Sequence, residues 1–169
     1  MNAYVLHGPH DLRNETRTEP HPGPEDVLID VRRTGICGSD VHYYEHFQIG
    51  QFIPQAPLVL GHEFAGVVAE VGSAVNTVHK GDRVTVENLR FIGTAATIPH
   101  IDGGFAEHVV APASHCYRLP DALDFGAGAL VEPMAVGAQA VRRAGPVAGA
   151  RVLITGGGTI GQMVLAMVH

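Results

Sequence analysis

Through the first two thirds of the chain, apolar positions come in short runs broken by glycine and proline. Residues 3–6, 27–31, 66–71, 83–86 and 106–111 are rich in Val, Ile, Leu and Ala and are bounded by turn formers, which predicts short strands. The run at 27–31, VLIDV, reads as partly alternating, with one face toward a core. Short strands at uneven spacing, joined by long loops, predict an open or partly closed β-barrel.

The texture changes after Pro120, where DALDFGAGALVEPMAVGAQAVRRAG predicts one or two helices. Met134, Val136, Ala138 and Val141 fall at helical spacings, and the stretch ends near Arg142, Arg143 and Gly145. Cations suit a helix C-terminus and glycine suits its stop. Residues 152–155 then form a buried-type strand run, followed by glycines and an apolar helix from about Thr159. Strand, glycine loop and helix in that order are the opening of a dinucleotide-binding unit.

Length bounds this picture: 169 residues are room for one domain and part of another. The apolar share of 46% against 17% charged allows a real core and excludes general disorder. Eleven basic residues against 17 acidic ones, with Lys80 the one lysine, leave no basic stripe for a nucleic acid. No apolar run reaches the ~18–20 residues that span a bilayer, and the N-terminal stretch has no signal-peptide pattern. Two cysteines are too few for a disulfide framework, so a soluble cytoplasmic protein is expected, with no membrane partner. Eleven histidines turn attention to metal and proton chemistry.

Three stretches carry that chemistry: GICGSDVHYY, GHEFAG and LVEPMAV. Cys37 sits between Gly35 and Gly38, so its sulfur projects from a tight turn, and a thiolate is a strong zinc ligand. His62 and Glu63 follow Gly61 in a loop context, where neighbouring side chains can face one site. Glu132 lies between an apolar run and Pro133, an unusual place for a carboxylate without a partner. One thiol, one imidazole and carboxylates drawn from distant segments describe a catalytic zinc with an open position better than a closed structural one. Ser39 and His42 are open to two readings: a hydroxyl-to-imidazole proton path, or a helix cap and an exposed histidine. Asp40 is equally open, as the cap or as the acceptor that orients His62.

In the glycine loop, Gly156, Gly158 and Gly161 fit G-x-G-x-x-G, with Thr159 and Ile160 opening the helix. Glycine permits the tight turn and close backbone approach to a pyrophosphate, and the helix N-terminus attracts the anion. The acidic residue that separates NAD from NADP would lie ~20 residues further on, so the cofactor is read as either.

The ordered motifs GICGSDVHYYE, PLVLGHEFAGVVAEVG, KGDRV, GGFAEHVV, LVEPMAVGAQAVRRAG and VLITGGGTIG resemble the zinc-dependent medium-chain dehydrogenase/reductase family, in its polyol branch. The resemblance implies a mainly β GroES-like barrel catalytic domain (α+β) at 1–145. At 146–169 it implies the first βα unit of a Rossmann domain, of which the rest is absent. It implies one catalytic zinc held by Cys37, His62, Glu63 and Glu132, with Glu132 also counted among the catalytic groups. Ser39 and His42 match the family's proton relay, and Asp40 its partner of the zinc histidine. Tyr43 and Arg90 are carried as substrate-contacting residues, Arg90 as the cation for a sugar-acid carboxylate. The implied substrate is a polyol or an aldonate whose C5 hydroxyl becomes a ketone, a reading supported by residues 35–52 and 89–105. The implied reaction passes hydride to NAD or NADP, and the full-length parent is expected to be a homo-oligomer. One departure stands out: between Val86 and Leu89 the family inserts a four-cysteine lobe, whereas this chain reads VTVENLRF. A structural zinc is therefore not expected. The alternatives are a GroES-like zinc-binding fragment without catalysis, or another polyol dehydrogenase of the sorbitol or threonine type; a zinc-free reductase of the same superfamily is disfavoured by the Cys, His and Glu set.

Overall fold

The computed structural model describes residues 1–88 and 90–168; Leu89 and His169 lie outside the described residues. In chain order the elements are β1 (Asn2–Gly8), β2 (Asp11–Thr16), β3 (Asp26–Thr34), α1 (Gly38–His46), β4 (Leu58–Val59), β5 (Phe64–Val71), β6 (Arg83–Val86) and β7 (His108–Pro112). A single 3-10 turn at Ala113–His115 leads into β8 (Cys116–Arg118), followed by α2 (Phe125–Ala129), α3 (Val131–Ala144) and α4 (Thr159–Val168).

The strands form two antiparallel sheets, ordered β2-β1-β4 and β7-β3-β5-β6-β8. They meet where Ala3 bridges Ala106 and the Tyr4 N–H donates to the Phe105 carbonyl at 2.8 Å. The larger sheet closes over Val27, Ile29, Phe64, Val68, Val84 and Val109. Burying each such side chain contributes about 1.5–3 kcal/mol, so this cluster is the main source of the barrel's stability. A second cluster of Leu6, Tyr43, Leu58, Leu60 and Ala95 fastens α1 to the smaller sheet.

The predicted runs before residue 120 form strands; β2, β4 and β8 are strands outside those runs, β3 departs from alternation, and the run at 152–155 forms no strand. β2, whose sequence DLRNET carries almost no apolar signal, is an edge strand held by its hairpin with β1. Burial is therefore not what makes it a strand. In β3, Val27, Leu28 and Ile29 are all buried, because the strand is paired on both sides and covered on both faces. The run at 152–155 is a correction: these residues belong to no strand or sheet. A parallel strand needs a neighbour reached through a crossover, and the described residues supply none. α3 does end at Ala144, capped by Gly145 at φ 90°, and α4 does begin at Thr159. α3 and α4 pack closely at Gly137, where a Cβ would lie 2.8 Å from the Met163 backbone. Among the described residues, no helix is long and apolar enough to cross a membrane.

The register of β3 with β5 positions the site. The last pairs are Arg33 with Ala65 and Thr34 with Phe64, so residues after β3 and before β5 leave the sheet side by side. The Gly35 N–H donates to the Glu63 carbonyl at 2.6 Å, extending the contact one step past the strands. Irregular register at Leu28/Ile29 and Val31/Arg33 bends β3 on the way, a common device for re-aiming a strand end.

Behind the loop before β5, Gly61, Gly93 and Gly103 meet backbone to backbone. A Cβ on Gly103 would collide with the Gly61 carbonyl and lie 2.5 Å from the Gly93 Cα. Gly103→Ala is expected to destabilise the chain by about 1–3 kcal/mol, the usual range for overpacking, as read by urea denaturation. Near the end of the chain, Leu153 is 87% exposed and Val152 and Leu165 are also exposed. The 169-residue chain is expected to self-associate through this apolar face, and Leu153→Glu to reduce the mass seen by light scattering.

Candidate active site

Cys37 is the residue that caps the N-terminus of α1, and His62 and Glu63 lie in the loop that enters β5. A sulfur, a ring nitrogen and a carboxylate oxygen of these three residues all lie within 4.8 Å of one another. Tetrahedral zinc with bonds of ~2.0–2.3 Å spaces its ligand atoms by roughly 3.3–3.7 Å, so a small contraction closes this set around an ion. Gly35 makes the room: a Cβ there would collide with the Glu63 carboxylate. Gly61, at φ 96°, adopts a backbone conformation that favours glycine, and Phe105 fills the space a Cβ would need. The donor set and this tailored space fit zinc.

Asp40 answers both readings left open for it. One carboxylate oxygen accepts from the Cys37 N–H at 2.9 Å, capping α1, and the other accepts from the Gly61 N–H at 3.3 Å. That second oxygen also lies 3.6 Å from His62 Nδ1, an ion-pair distance rather than a hydrogen bond. His62 and Glu63 are buried, as is Asp40. Burial raises the Asp40 pKa, opposed by His62 and the two N–H donors. For His62, burial pulls the imidazole down, but Cys37 beside it and the charges of Asp40 and Glu132 override this and raise it to about 9. The same His62 ring lowers the Cys37 thiol against the opposing effect of burial, with help from Ser39.

Glu132 stands in the first turn of α3, half-buried. It is outside the three-residue cluster, yet it senses the cluster's charge. Its pKa is raised chiefly by burial and also by Glu63 and Asp40, while His62 opposes the shift. Ser39 is half-buried and His42 exposed, three residues apart on α1 and so on neighbouring positions of one helix face.

Two substrate expectations fare differently. Tyr43 is 2% exposed, packed in the cluster with Leu6 and Leu58, and its hydroxyl accepts from the Ala95 N–H at 3.2 Å. That is a correction: a ring so enclosed anchors α1 and offers no surface to a substrate. Arg90 lies exposed on a turn beside Leu89, which is outside the described residues.

The glycine loop enters α4 as its spacing suggests. Gly156 has φ 97°, added Cβ atoms on Gly157 and Gly158 would meet open space, and one on Gly161 would collide with the Gly156 carbonyl. Gln162 steadies the loop by donating to the Gly157 carbonyl at 3.0 Å. Val152, Ile154, Gly156, Gly157, Gly161, Gln162 and Leu165 line an open cleft of about 390 Å³. Bare backbone at a helix N-terminus fits a pyrophosphate.

Two supports escape a reading of motifs. Arg83 donates to the carbonyls of Pro120, Asp121 and Leu123 and lies 4.6 Å above the Phe125 ring, tying β6 to the turn that leads to Glu132. The Gly61, Gly93 and Gly103 contact is the other; the only sequence sign of it was the density of glycines.

Fold and donor set together define a class, a GroES-like barrel with a Cys, His and carboxylate cluster at its strand ends. Residues 23–121 match the alcohol dehydrogenase GroES-like domain, and the chain belongs to this family of medium-chain alcohol and polyol dehydrogenases. Sorbitol dehydrogenase from Gallus gallus is 42% identical over 175 residues, covering 94% of this chain and 49% of the relative. The solved structure of L-idonate 5-dehydrogenase from Escherichia coli superposes with a TM-score of 0.88 at 33% identity, covering 99% of this chain and 53% of that one. That of 2R,3R-butanediol dehydrogenase from Bacillus subtilis gives 0.82 at 36%, covering 99% and 54%. The chain spans about half the length of the curated relatives it matches.

The two thiols differ sharply. Burial pushes Cys116 up to about 12, whereas Cys37 is lowered. Iodoacetamide at neutral pH is expected to label Cys37 more than about tenfold faster than Cys116, because the thiolate is the reacting form. Mass spectrometry after brief labelling reads this, and one equivalent of zinc is expected to protect Cys37.

Proposed function

We propose that this chain carries the zinc- and substrate-binding part of an NAD(P)-dependent polyol or aldonate dehydrogenase, of the L-idonate 5-dehydrogenase type. The observation that carries the reading is the convergence of Cys37, His62 and Glu63 within 4.8 Å at the ends of two paired strands. The similarity to L-idonate 5-dehydrogenase and to sorbitol dehydrogenase supports a substrate with neighbouring hydroxyl groups. Residues 1–145 form the catalytic domain in this reading, and 146–169 open the coenzyme domain. The family's whole enzyme is taken to be a homo-oligomer, and the two free thiols suit a cytoplasmic setting.

Cys37, His62 and Glu63 would hold zinc, with Glu132 as a further ligand or a holder of water beside it. When bound, zinc supplies a Lewis acid for the substrate hydroxyl, and the dinucleotide supplies the hydride acceptor. Asp40 keeps His62 and the α1 N-terminus in register, so the donors stay converged. Ser39 accepts the proton that leaves the substrate hydroxyl and passes it to His42, whose exposed ring releases it to water. Gly156 to Gly161 and the N-terminus of α4 would cradle the pyrophosphate. Arg90 is placed as the partner of a substrate carboxylate, which makes its removal a test of aldonate over polyol.

Metal analysis of the wild-type protein after dialysis against a weak chelator is expected to find one tightly held zinc, lost in Cys37→Ser combined with His62→Ala; zinc held as tightly by that variant overturns the ligand assignment. In the whole enzyme, L-idonate oxidation with NAD or NADP is expected to exceed sorbitol oxidation, and Arg90→Gln to raise KM for the aldonate alone. The reverse preference assigns the protein to polyols. Zinc binding also has a worked pH dependence. Below about 9 the His62 imidazole holds a proton that the metal must displace. Apparent affinity therefore rises with pH, by about tenfold per unit, and flattens above that value, as competition with a chelator reads out.

A further inference from the structure

We propose a second metal site on the exposed face of α1, formed by His42 and His46, that takes a divalent first-row transition ion such as Zn2+ or Co2+. The two histidines are four residues apart on one helix, so their side chains are neighbours on its surface. Their ring centroids lie 4.6 Å apart, edge to face at 67°, and both residues are exposed. Rotation about the terminal side-chain bonds, which is soft for imidazole, brings one nitrogen of each ring onto a common point. The Glu45 carboxylate lies 3.7 Å from His46 Nε2 and adds a negative charge at the edge of the pair. Imidazole nitrogen suits Zn2+, Co2+ and Ni2+, and the chain's net charge of −6 favours cations generally.

The helix that displays the pair is fixed at both ends and along its inner face. Asp40 caps its start at the Cys37 N–H, and Phe47, at φ 55°, closes its end with a bond to the Tyr43 carbonyl at 2.8 Å. Tyr43 itself is buried against the smaller sheet. The two imidazoles therefore start from a defined separation, and little chain ordering opposes their convergence on an ion.

This site shares no ligand with the Cys37 cluster. With two imidazoles and no thiolate it binds more weakly and fills second. Its consequence rests on the proposed function: an ion bound at His42 occupies the lone pair that would take the proton from Ser39, so occupancy blocks the relay.

The test titrates the metal-free chain with Zn2+ past two equivalents, following heat and the imidazole C–H signals in NMR. The expected result is a second, weaker event in which the His42 and His46 signals move together. His46→Gln, which keeps a good helix former at an exposed position, is expected to weaken that event by at least about tenfold and leave the first unchanged. Circular dichroism confirms the variant's fold. Absence of the second event, or a second event with the same midpoint in His46→Gln, overturns the proposal. A missing first event with the second intact sinks the Cys37 assignment and supports this site.

Discussion

One buried carboxylate, Asp40, joins the two chain segments that make the candidate centre. Its oxygens accept from the N–H groups of Cys37 and Gly61, 24 residues apart in the chain, while one of them faces His62. An isolated buried charge is costly, and the burial-driven rise of the Asp40 pKa is that cost in another form. Two N–H donors and the imidazolium oppose it. Replacing the carboxylate with an apolar group would leave both N–H groups unpaired and release the α1 N-terminus from the loop before β5. Packing then does the rest: β3 and β5 end in register, Tyr43 pins α1 from beneath, and glycine backbones let segments 93 and 103 press against Gly61.

What the sequence made legible follows from this division. Cys37, His62 and Glu63 were readable as ligand types because Cys37 and His62 stand beside glycine, where side chains leave regular packing, and Glu63 follows directly. The strands around the core were readable from runs of Val, Ile and Leu. β2 was not, since its residues are polar and its place comes from pairing with β1 rather than from burial, and neither were the short β4 and β8. Asp40 was readable only as a choice between two roles. A single carboxylate with two oxygens can serve both, and that depends on where Gly61 arrives in space. Tyr43 misled because the residues around it resemble a site, while its own side chain is packed with Leu6, Leu58 and Leu60 and serves the core. The run at 152–155 shows that a strand-like sequence is a condition on partners as much as on residues.

Burial and an excess of acidic groups together explain the electrostatics of the centre. Cys37, Asp40, Glu63 and Glu132 gather about one imidazole, in a region where burial reduces screening by water. Two responses appear together. His62 is raised to about 9 despite burial, and Glu132 is raised rather than lowered despite the nearby imidazole. Both shifts reduce negative charge, one by keeping a proton on nitrogen and the other by favouring the neutral acid. A dication would serve the same balance more fully, since two positive charges at the focus of the donors replace one on the His62 ring. Loading and proton release are thereby coupled, and the ligand shell is set to a total charge rather than to any single donor. The position of Cys37 at the start of α1 and of Glu132 in the first turn of α3 fits this balance, because helix N-termini favour negative groups and limit the repulsion among them.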